Sequence, residues 1–194
     1  MGAFDMDAEL TRAVERVLDD HGWNGATAER IAEALGVNRV TLYRRGLTRE
    51  RLLTAAALAA AGEFKAAALP CLTAPGSAHD RLRLLLEALY DLADAHLSLL
   101  AGLFDGPTAL FHMGIDSEDT ELITQLEYTD PFERLLRDGA VDGTLDSTSP
   151  RDDAELIFNA AGWTYVHLRR SHRWASERAR REVTRVVLAF VEPA

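Results

Sequence analysis

The residues of this chain with the clearest chemical potential are four arginines and a tyrosine near the N-terminus. Arg39, Tyr43, Arg44, Arg45 and Arg49 fall within eleven residues. A guanidinium group presents a rigid fork of donors that pairs with phosphate oxygens and with the O6 and N7 edge of guanine. A phenolic hydroxyl also donates to phosphate. The set therefore favours contact with a nucleic acid over catalysis.

Two short helices joined by a glycine turn must present these side chains. Ala28, Ile31, Ala32 and Leu35 recur at helical spacing and give the first helix one apolar face. Gly36 then occupies a turn position that favours a positive φ. This spacing predicts a helix-turn-helix.

The residues after the turn divide into inward and outward positions. We expect Val37 to pack inward, Asn38 to cap the second helix, and Leu42 to return to the apolar face of the first. Five residues are then left to face outward: Arg39, Val40, Thr41, Tyr43 and Arg45.

The outward residues suit different parts of a DNA duplex. Arg39 is expected to make a bidentate contact with guanine, and Val40 to meet a thymine methyl group. The remaining residues suit phosphate oxygens, which fix position rather than sequence. These are Thr41, Tyr43, Arg44, Arg45 and Arg49.

The complete motif resembles the DNA-binding segment of TetR-family transcriptional regulators. It reads Gly-Val-x-x-x-Thr-Leu-Tyr-x-x, followed by a cap, a basic residue, an acid and two leucines. The residues concerned are Gly36, Val37, Thr41, Leu42, Tyr43, Thr48, Arg49, Glu50, Leu52 and Leu53. The resemblance covers about Leu10 to Leu58, and beyond it the length and helical layout match.

The resemblance implies a role for individual residues. Arg39, Val40 and Tyr43 take base-facing positions in such regulators, while Thr27, Thr41, Arg45 and Arg49 take phosphate-facing ones. With Asn38, Arg44 and Thr48, these form the predicted DNA surface. The sequence departs from the family pattern twice: Arg45 replaces the usual histidine, and Gly46 replaces a bulky apolar residue.

The net charge of −10 is unevenly distributed. Residues 27–53 contain six arginines and three glutamates, a net charge of +3, so the remainder carries −13. Because phosphate contact depends on charges within about 8–10 Å, a basic module can work on an acidic body.

Helical spacing without strand alternation predicts an all-α fold of about nine helices. We expect a three-helix DNA-binding domain over residues 1–53 and a larger ligand-binding and dimerisation domain over residues 54–194. Trp23 is expected to fold beneath the motif. The expected helices include Met6–His21 ending at Gly22, a Thr48-capped helix ending at Pro70, and one spanning Ala78–Leu100 before an irregular Gly102–Gly114 stretch.

Two apolar stripes near the C-terminus fit either a dimer interface or intrachain core. The resemblance favours a homodimer, whose two recognition helices would read a pseudo-palindrome. The expected interface residues are Ile157, Phe158, Ala161, Tyr165, Leu168, Val183, Val186, Val187 and Phe190.

The resemblance also implies a small-molecule pocket in the body, with an effector that the sequence does not identify. Its candidate residues fit plain core equally well. They are Phe64, Leu89, Phe104, Phe111, His112, Met113, Tyr128 and Trp163.

No pattern for catalysis, metal binding or a cofactor is present. The six histidines show no HExxH arrangement, the lone Cys71 has no ligand-spaced neighbour, and no phosphate-binding glycine loop occurs. No apolar run reaches the roughly 18–20 residues of a membrane span, and no signal peptide is recognisable, so we expect a cytoplasmic protein.

These observations predict a sequence-specific transcriptional regulator, of which a repressor released by a small molecule is the commonest form in the family. The alternative is a helical small-molecule sensor or binding protein that has lost specific DNA affinity. The sequence identifies neither the operator nor the regulated genes.

Overall fold

The computed structural model describes residues 3–44, 46–105 and 128–193, which are helical almost throughout. The all-α prediction is confirmed, since no strand occurs in these ranges, and nine helices are found there. In chain order they are α1 (Ala3–Gly25), α2 (Ala28–Ala34), α3 (Arg39–Arg44), α4 (Arg49–Thr73), α5 (Ala78–Ala95), α6 (Leu97–Asp105), α7 (Asp130–Asp142), α8 (Pro150–Arg170) and α9 (Ser176–Val191).

We call α1–α3 and the first turn of α4 the head, and the rest of α4 with α5–α9 the body. One continuous cluster of buried side chains runs through both, from Val14 in α1 to Val191 in α9. Because the cluster crosses the boundary, the position of the head is determined by packing against the body.

Two helix ends differ from those predicted. The fourth helix continues through Pro70 to Thr73, because the amide hydrogen bond that proline lacks is only one bond in the last turn. The expected Ala78–Leu100 helix is two helices, α5 and α6, separated at His96, where φ is −122° and ψ is 33°. Gly22, by contrast, interrupts α1 at a positive φ of 68°, as predicted.

Helix α4 is also the one described helix long and apolar enough, by composition, to cross a membrane. The sequence analysis did not anticipate this, because alanines rather than large apolar residues supply the low polarity. Nine of its residues, including Leu53, Phe64 and Leu72, are buried against other helices. We therefore interpret α4 as the core helix that connects head and body.

The body has a far end, remote from the head, where the end of α4 meets four other helix ends. The 25 residues of α4 separate this end from the head by about 36 Å. Three hydrogen bonds define it: Arg81 Nη1 to Leu72 O at 2.9 Å, Ala78 N to Asp142 Oδ2 at 2.8 Å, and Asp146 N to Val191 O at 2.8 Å.

The opposite, head-facing end of the body contains the junction of α5 and α6. There the Ser98 hydroxyl donates to Asp19 Oδ1 at 2.5 Å, and the Leu99 amide donates to Glu15 Oε1 at 3.2 Å. Two carboxylates of α1 thus cap the start of α6, where the positive end of the helix dipole favours them.

The same end holds the turn between α8 and α9. Arg169 Nε and Arg180 Nη2 both donate to the Asp94 carboxylate near the end of α5, each at 2.8 Å. Burial alone would raise the pKa of Asp94, but hydrogen bonds from Arg180, Arg169 and Ser176 outweigh it and lower the pKa to about 2. The charged cluster therefore holds α8 and α9 against the end of α5.

Trp23 makes the closest contact between head and body. Its ring lies directly on Gly102 of α6, where a Cβ atom would fall 1.9 Å from Trp23 Cε3. Trp23 is partly buried against the core, so it does lie beneath the motif as predicted, and it also packs on the body.

We expect Gly102→Ala to lower the free energy of unfolding by roughly 1–3 kcal/mol, because the added methyl group overpacks the contact with Trp23. Gly62→Ala is the matched control. Gly62 lies within α4, and no atom lies within 4 Å of the point that an alanine methyl group would occupy, so alanine should stabilise the helix by about 0.5–1 kcal/mol. Urea unfolding measures both, and equal effects of the two substitutions would contradict the packing argument.

Glu15 lies in a buried polar cluster between head and body. His96 is buried, its Nε2 lies 2.8 Å from Glu63 Oε2, and its Nδ1 lies 3.8 Å from Glu15 Oε1. Burial is the largest influence on Glu15, and with the nearby charge of Asp19 it raises the pKa of Glu15 to about 7, against smaller opposing effects from the Leu99 amide and Arg170.

This pKa makes stability depend on pH. Because the folded chain holds the Glu15 proton more tightly than the unfolded chain, the resulting stabilisation is complete below about pH 4.5 and is lost as the pH rises through about 7. Glu15→Gln keeps an acceptor for the Leu99 amide but cannot ionise. Relative to this variant, wild type should lose up to about 3 kcal/mol between pH 5 and pH 8.5 in urea unfolding. Glu9→Gln, on the exposed face of α1, should track wild type at both pH values; identical pH profiles for all three proteins would refute the assignment.

Candidate nucleic-acid interface

The turn between α2 and α3 is held by backbone and side-chain hydrogen bonds. Gly36 has a φ of 67°, a conformation that other residues adopt only with strain. Its amide donates to Glu33 O at 3.0 Å, and the Val37 amide donates to Ala32 O at 2.9 Å. Asn38 Oδ1 then accepts from the Val40 amide at 2.8 Å, so the predicted cap of α3 is present.

Helix α3 has an exposed outer surface. Val40 is 61% exposed, Asn38 and Arg44 are also exposed, and Thr41 is half-buried. Val37 is 39% exposed, which corrects the expectation that it packs inward. It still belongs to the turn that leads away from α2, so its side chain does not reach the apolar face of that helix.

The remaining predicted recognition residues are located by their backbone. Arg39 and Tyr43 lie in α3 four residues apart. Arg45 lies outside the described residues.

Two threonines of the predicted DNA surface serve as helix caps. Thr27 accepts from the Arg30 amide at the start of α2, and Thr48 accepts from the Arg51 amide at the start of α4, both at 3.3 Å. Thr27 is half-buried and Thr48 is exposed. Their hydroxyl groups therefore orient the helices that carry the surface.

Gly46, the departure from the family pattern, forms a defined exit from α3. Its φ is 62°, a left-handed conformation that explains glycine here better than a bulky residue would. Its carbonyl accepts from Arg51 Nη1 at 3.0 Å. The chain is thereby turned into the cap of α4.

Arg49 has a structural role that the sequence did not reveal. Its Nε donates to Ala26 O at 2.7 Å and its Nη2 donates to Trp23 O at 2.8 Å, while the guanidinium lies 5.0 Å from the centre of the Trp23 ring. These contacts tie the start of α4 to the end of α1. The expectation that Arg49 is simply a phosphate ligand needs correction, since its half-buried side chain already binds two carbonyls.

We expect Arg49→Gln to lower the free energy of unfolding by about 2 kcal/mol, because hydrogen bonds from a charged donor to two buried carbonyls are lost. Arg44→Gln removes the same charge from an exposed position in α3 and should change stability by less than roughly 0.5 kcal/mol. Urea unfolding in the absence of DNA compares the two. Similar stabilities for both variants would show that the Arg49 contacts are unimportant.

The predicted dimer residues lie mostly inside the single chain. Ile157, Ala161, Tyr165, Val183 and Val187 are at most 5% exposed, so they offer a second copy almost no surface, and the predicted interface must be corrected.

The other predicted dimer residues divide into two groups. Phe158 and Leu168 are partly buried against the core, whereas Val186 and Phe190 are 58% and 50% exposed. Leu156, which the sequence analysis omitted, is 53% exposed on α8. An outer apolar strip on α8 and α9 thus exists, one residue away from the stripe chosen by periodicity.

The candidate pocket residues that the structure describes lie in a packed interior. Phe64 and Tyr128 stack with ring centres 5.5 Å apart, and Tyr128 lies 5.0 Å from Phe158. Leu89 is buried and Trp163 is half-buried. Phe104 lies in α6, whereas Phe111, His112 and Met113 lie outside the described residues.

No group of three or more metal-ligating side chains is placed to hold an ion in the described ranges. Cys71 is buried, and burial raises the pKa of its thiol, which disfavours the reactive thiolate.

Comparisons with known proteins agree with this geometry. Residues 10–56 match the family model described as bacterial regulatory proteins, tetR family. A transcriptional regulator of the TetR/AcrR family from Thermobifida fusca is similar over 95% of this chain and 97% of its own, with 20% identity and a TM-score of 0.70. The fatty acid degradation regulator FadR from Bacillus halodurans is similar over 97% and 96%, with 17% identity and a TM-score of 0.72.

A third similar structure is the ketosteroid transcriptional regulator KstR2 of Mycobacterium tuberculosis, with 14% identity, a TM-score of 0.67, and coverage of 97% of this chain and 96% of its own. No curated protein sequence matches the chain. The family match identifies the N-terminal segment as a TetR-family helix-turn-helix domain, and the whole chain has the fold of TetR-family regulators.

Proposed function

We propose that this protein is a sequence-specific, dimeric transcriptional repressor whose operator affinity falls when a small molecule binds the body. The observation that carries the proposal is the Asn38-capped α3, held by the left-handed turn at Gly36 and exposed at Val40 and Arg44. An exposed, firmly positioned second helix is what entry into a major groove requires.

We assign the base contacts to Arg39, Val40 and Tyr43, and phosphate contacts to the surrounding Thr41, Arg44 and Arg45. Thr27, Asn38 and Thr48 contribute mainly by capping the helices. Arg49 contributes by joining α4 to α1, and any phosphate contact that it makes is secondary.

The proposed dimer uses the outer apolar strip of Leu156, Val186 and Phe190. Three large apolar side chains that are each at least half exposed, on helices packed side by side, form a surface that a second copy can cover. A two-fold axis through α8 and α9 gives a self-complementary contact and pairs the two heads.

The effector site belongs to the aromatic interior around Phe64 and Tyr128. A bound molecule there would alter the packing of α4 and α7, and α4 carries the change to the head. Only the difference in effector affinity between two head positions is needed, typically about 1–3 kcal/mol. Operation on DNA places the protein in the cytoplasm, and the proposal assigns no catalytic step.

A salt-titrated binding measurement tests the DNA part. Wild type should bind a duplex from the promoter beside its gene more tightly than an unrelated duplex, and both affinities should fall steeply with salt. Val40→Ala should weaken the promoter duplex specifically, whereas Arg44→Gln should weaken both duplexes alike and reduce the salt slope by about 1.

Equal affinity of wild type for promoter and unrelated DNA would contradict the repressor proposal. No DNA binding at all would favour the alternative, a helical small-molecule sensor that has lost DNA affinity.

A further inference from the structure

A second strongly basic region lies outside the helix-turn-helix. Residues 169–181, which we call the basic turn, contain six arginines and one glutamate, a net charge of +5. With +3 in residues 27–53 and −10 in total, the rest of the chain carries −18. Positive charge is thus confined to two segments of an otherwise acidic protein.

The fold puts the basic turn at the head-facing end of the body. Arg169 and Arg180 bind Asp94 near the end of α5, next to the junction where Ser98 and Leu99 bind α1. Arg170 lies close enough to α1 for its charge to act on Glu15. Both positive segments therefore lie on the same side of the molecule.

The basic turn is held in one conformation. The Ser171 amide donates to His167 O at 2.9 Å, the Trp174 amide donates to Leu168 O at 3.0 Å, and Arg169 Nη1 donates to Trp174 O at 2.7 Å. Arg173 has a φ of 54°, the one positive φ outside glycine among the described residues. Glycine would adopt this conformation with less strain, so the arginine side chain is retained against a conformational cost.

Four arginines of the turn are exposed, while Arg169 and Arg180 are committed to Asp94. Arg178 lies 3.7 Å from the centre of the Trp174 ring, which orients its guanidinium, and Arg181 pairs with the adjacent Glu182. Arg170 and Arg173 complete the exposed set. A rigid group of exposed guanidinium groups is suited to phosphate oxygens.

We propose that the basic turn is a second DNA-contacting element, which binds backbone phosphates of the DNA segment beneath the body while the heads read the flanking half-sites. The inference rests on the proposed DNA-binding function and adds a sequence-independent contact to it. In a dimer formed through α8 and α9 the two basic turns lie near the two-fold axis, because each turn joins these helices. Their combined charge would face the centre of the operator.

The test compares two double variants that remove the same charge. Arg173→Gly with Arg178→Gln alters the basic turn, and Arg83→Gln with Arg151→Gln alters two exposed arginines near the starts of α5 and α8, at the far end. Each protein is titrated with salt on the promoter duplex and on an unrelated duplex. Arg173→Gly also relieves a left-handed residue, so the variant should unfold at a temperature close to that of wild type.

If each protomer loses one phosphate contact, the basic-turn variant should show a salt slope smaller by about 2 and roughly tenfold weaker binding to both duplexes near 0.1 M salt. The far-end variant should match wild type. Equal behaviour of the two variants, or an unchanged slope in the basic-turn variant, would overturn the inference while leaving the proposed function intact.

Failure of wild type to bind either duplex would overturn both proposals. Binding to vesicles containing phosphatidylserine, measured in parallel, covers the other large anionic surface. If the basic-turn variant lost vesicle binding but kept its DNA salt slope, the segment would be a membrane contact instead.

Discussion

The contact of Trp23 with Gly102 and Arg49 is the interaction on which the rest of the structure depends. One aromatic residue at the end of α1 packs on the body through Gly102, and it binds the start of α4 through its carbonyl and its ring. The head consists of three short helices with a small core of its own, so its position relative to the body is set mainly at this contact. Glu15 and Asp19 add hydrogen bonds along the same boundary.

This arrangement gives the proposed regulation a physical route. Helix α6 contacts Trp23, and α4 passes from the aromatic interior around Phe64 to Arg49. A change in the packing of either helix is transmitted to the end of α1 and so to α2 and α3. The protein has no need of a flexible hinge for this coupling, because the head and body share one buried cluster.

The sequence predicted the parts that depend on local interactions. The turn at Gly36, the Asn38 cap and the apolar face of α2 follow from spacing within a few residues, and all three are present. The Trp23–Gly102 contact spans 79 residues in sequence and left no local signal. The hydrogen bonds of Arg49 were missed for the same reason, since an arginine beside a DNA-binding motif gives no indication that it faces inward.

The outer strip of α8 and α9 shows a different limit of the sequence. Both helices carry apolar residues on their core side and on their outer side, so periodicity alone selected Ile157 and Val187, which are buried, and omitted the exposed Leu156. The location of the basic turn likewise became evident only when Asp94 connected it to the head-facing end.

A hydroxyl-radical footprint of wild type on its promoter fragment tests the central claim most directly, namely that two heads held by their bodies read one operator. The account predicts two protected regions related by two-fold symmetry, with centres one helical turn, about 34–36 Å, or a whole multiple of that apart. A single protected region without a symmetric partner, or uniform protection along the fragment, would contradict it.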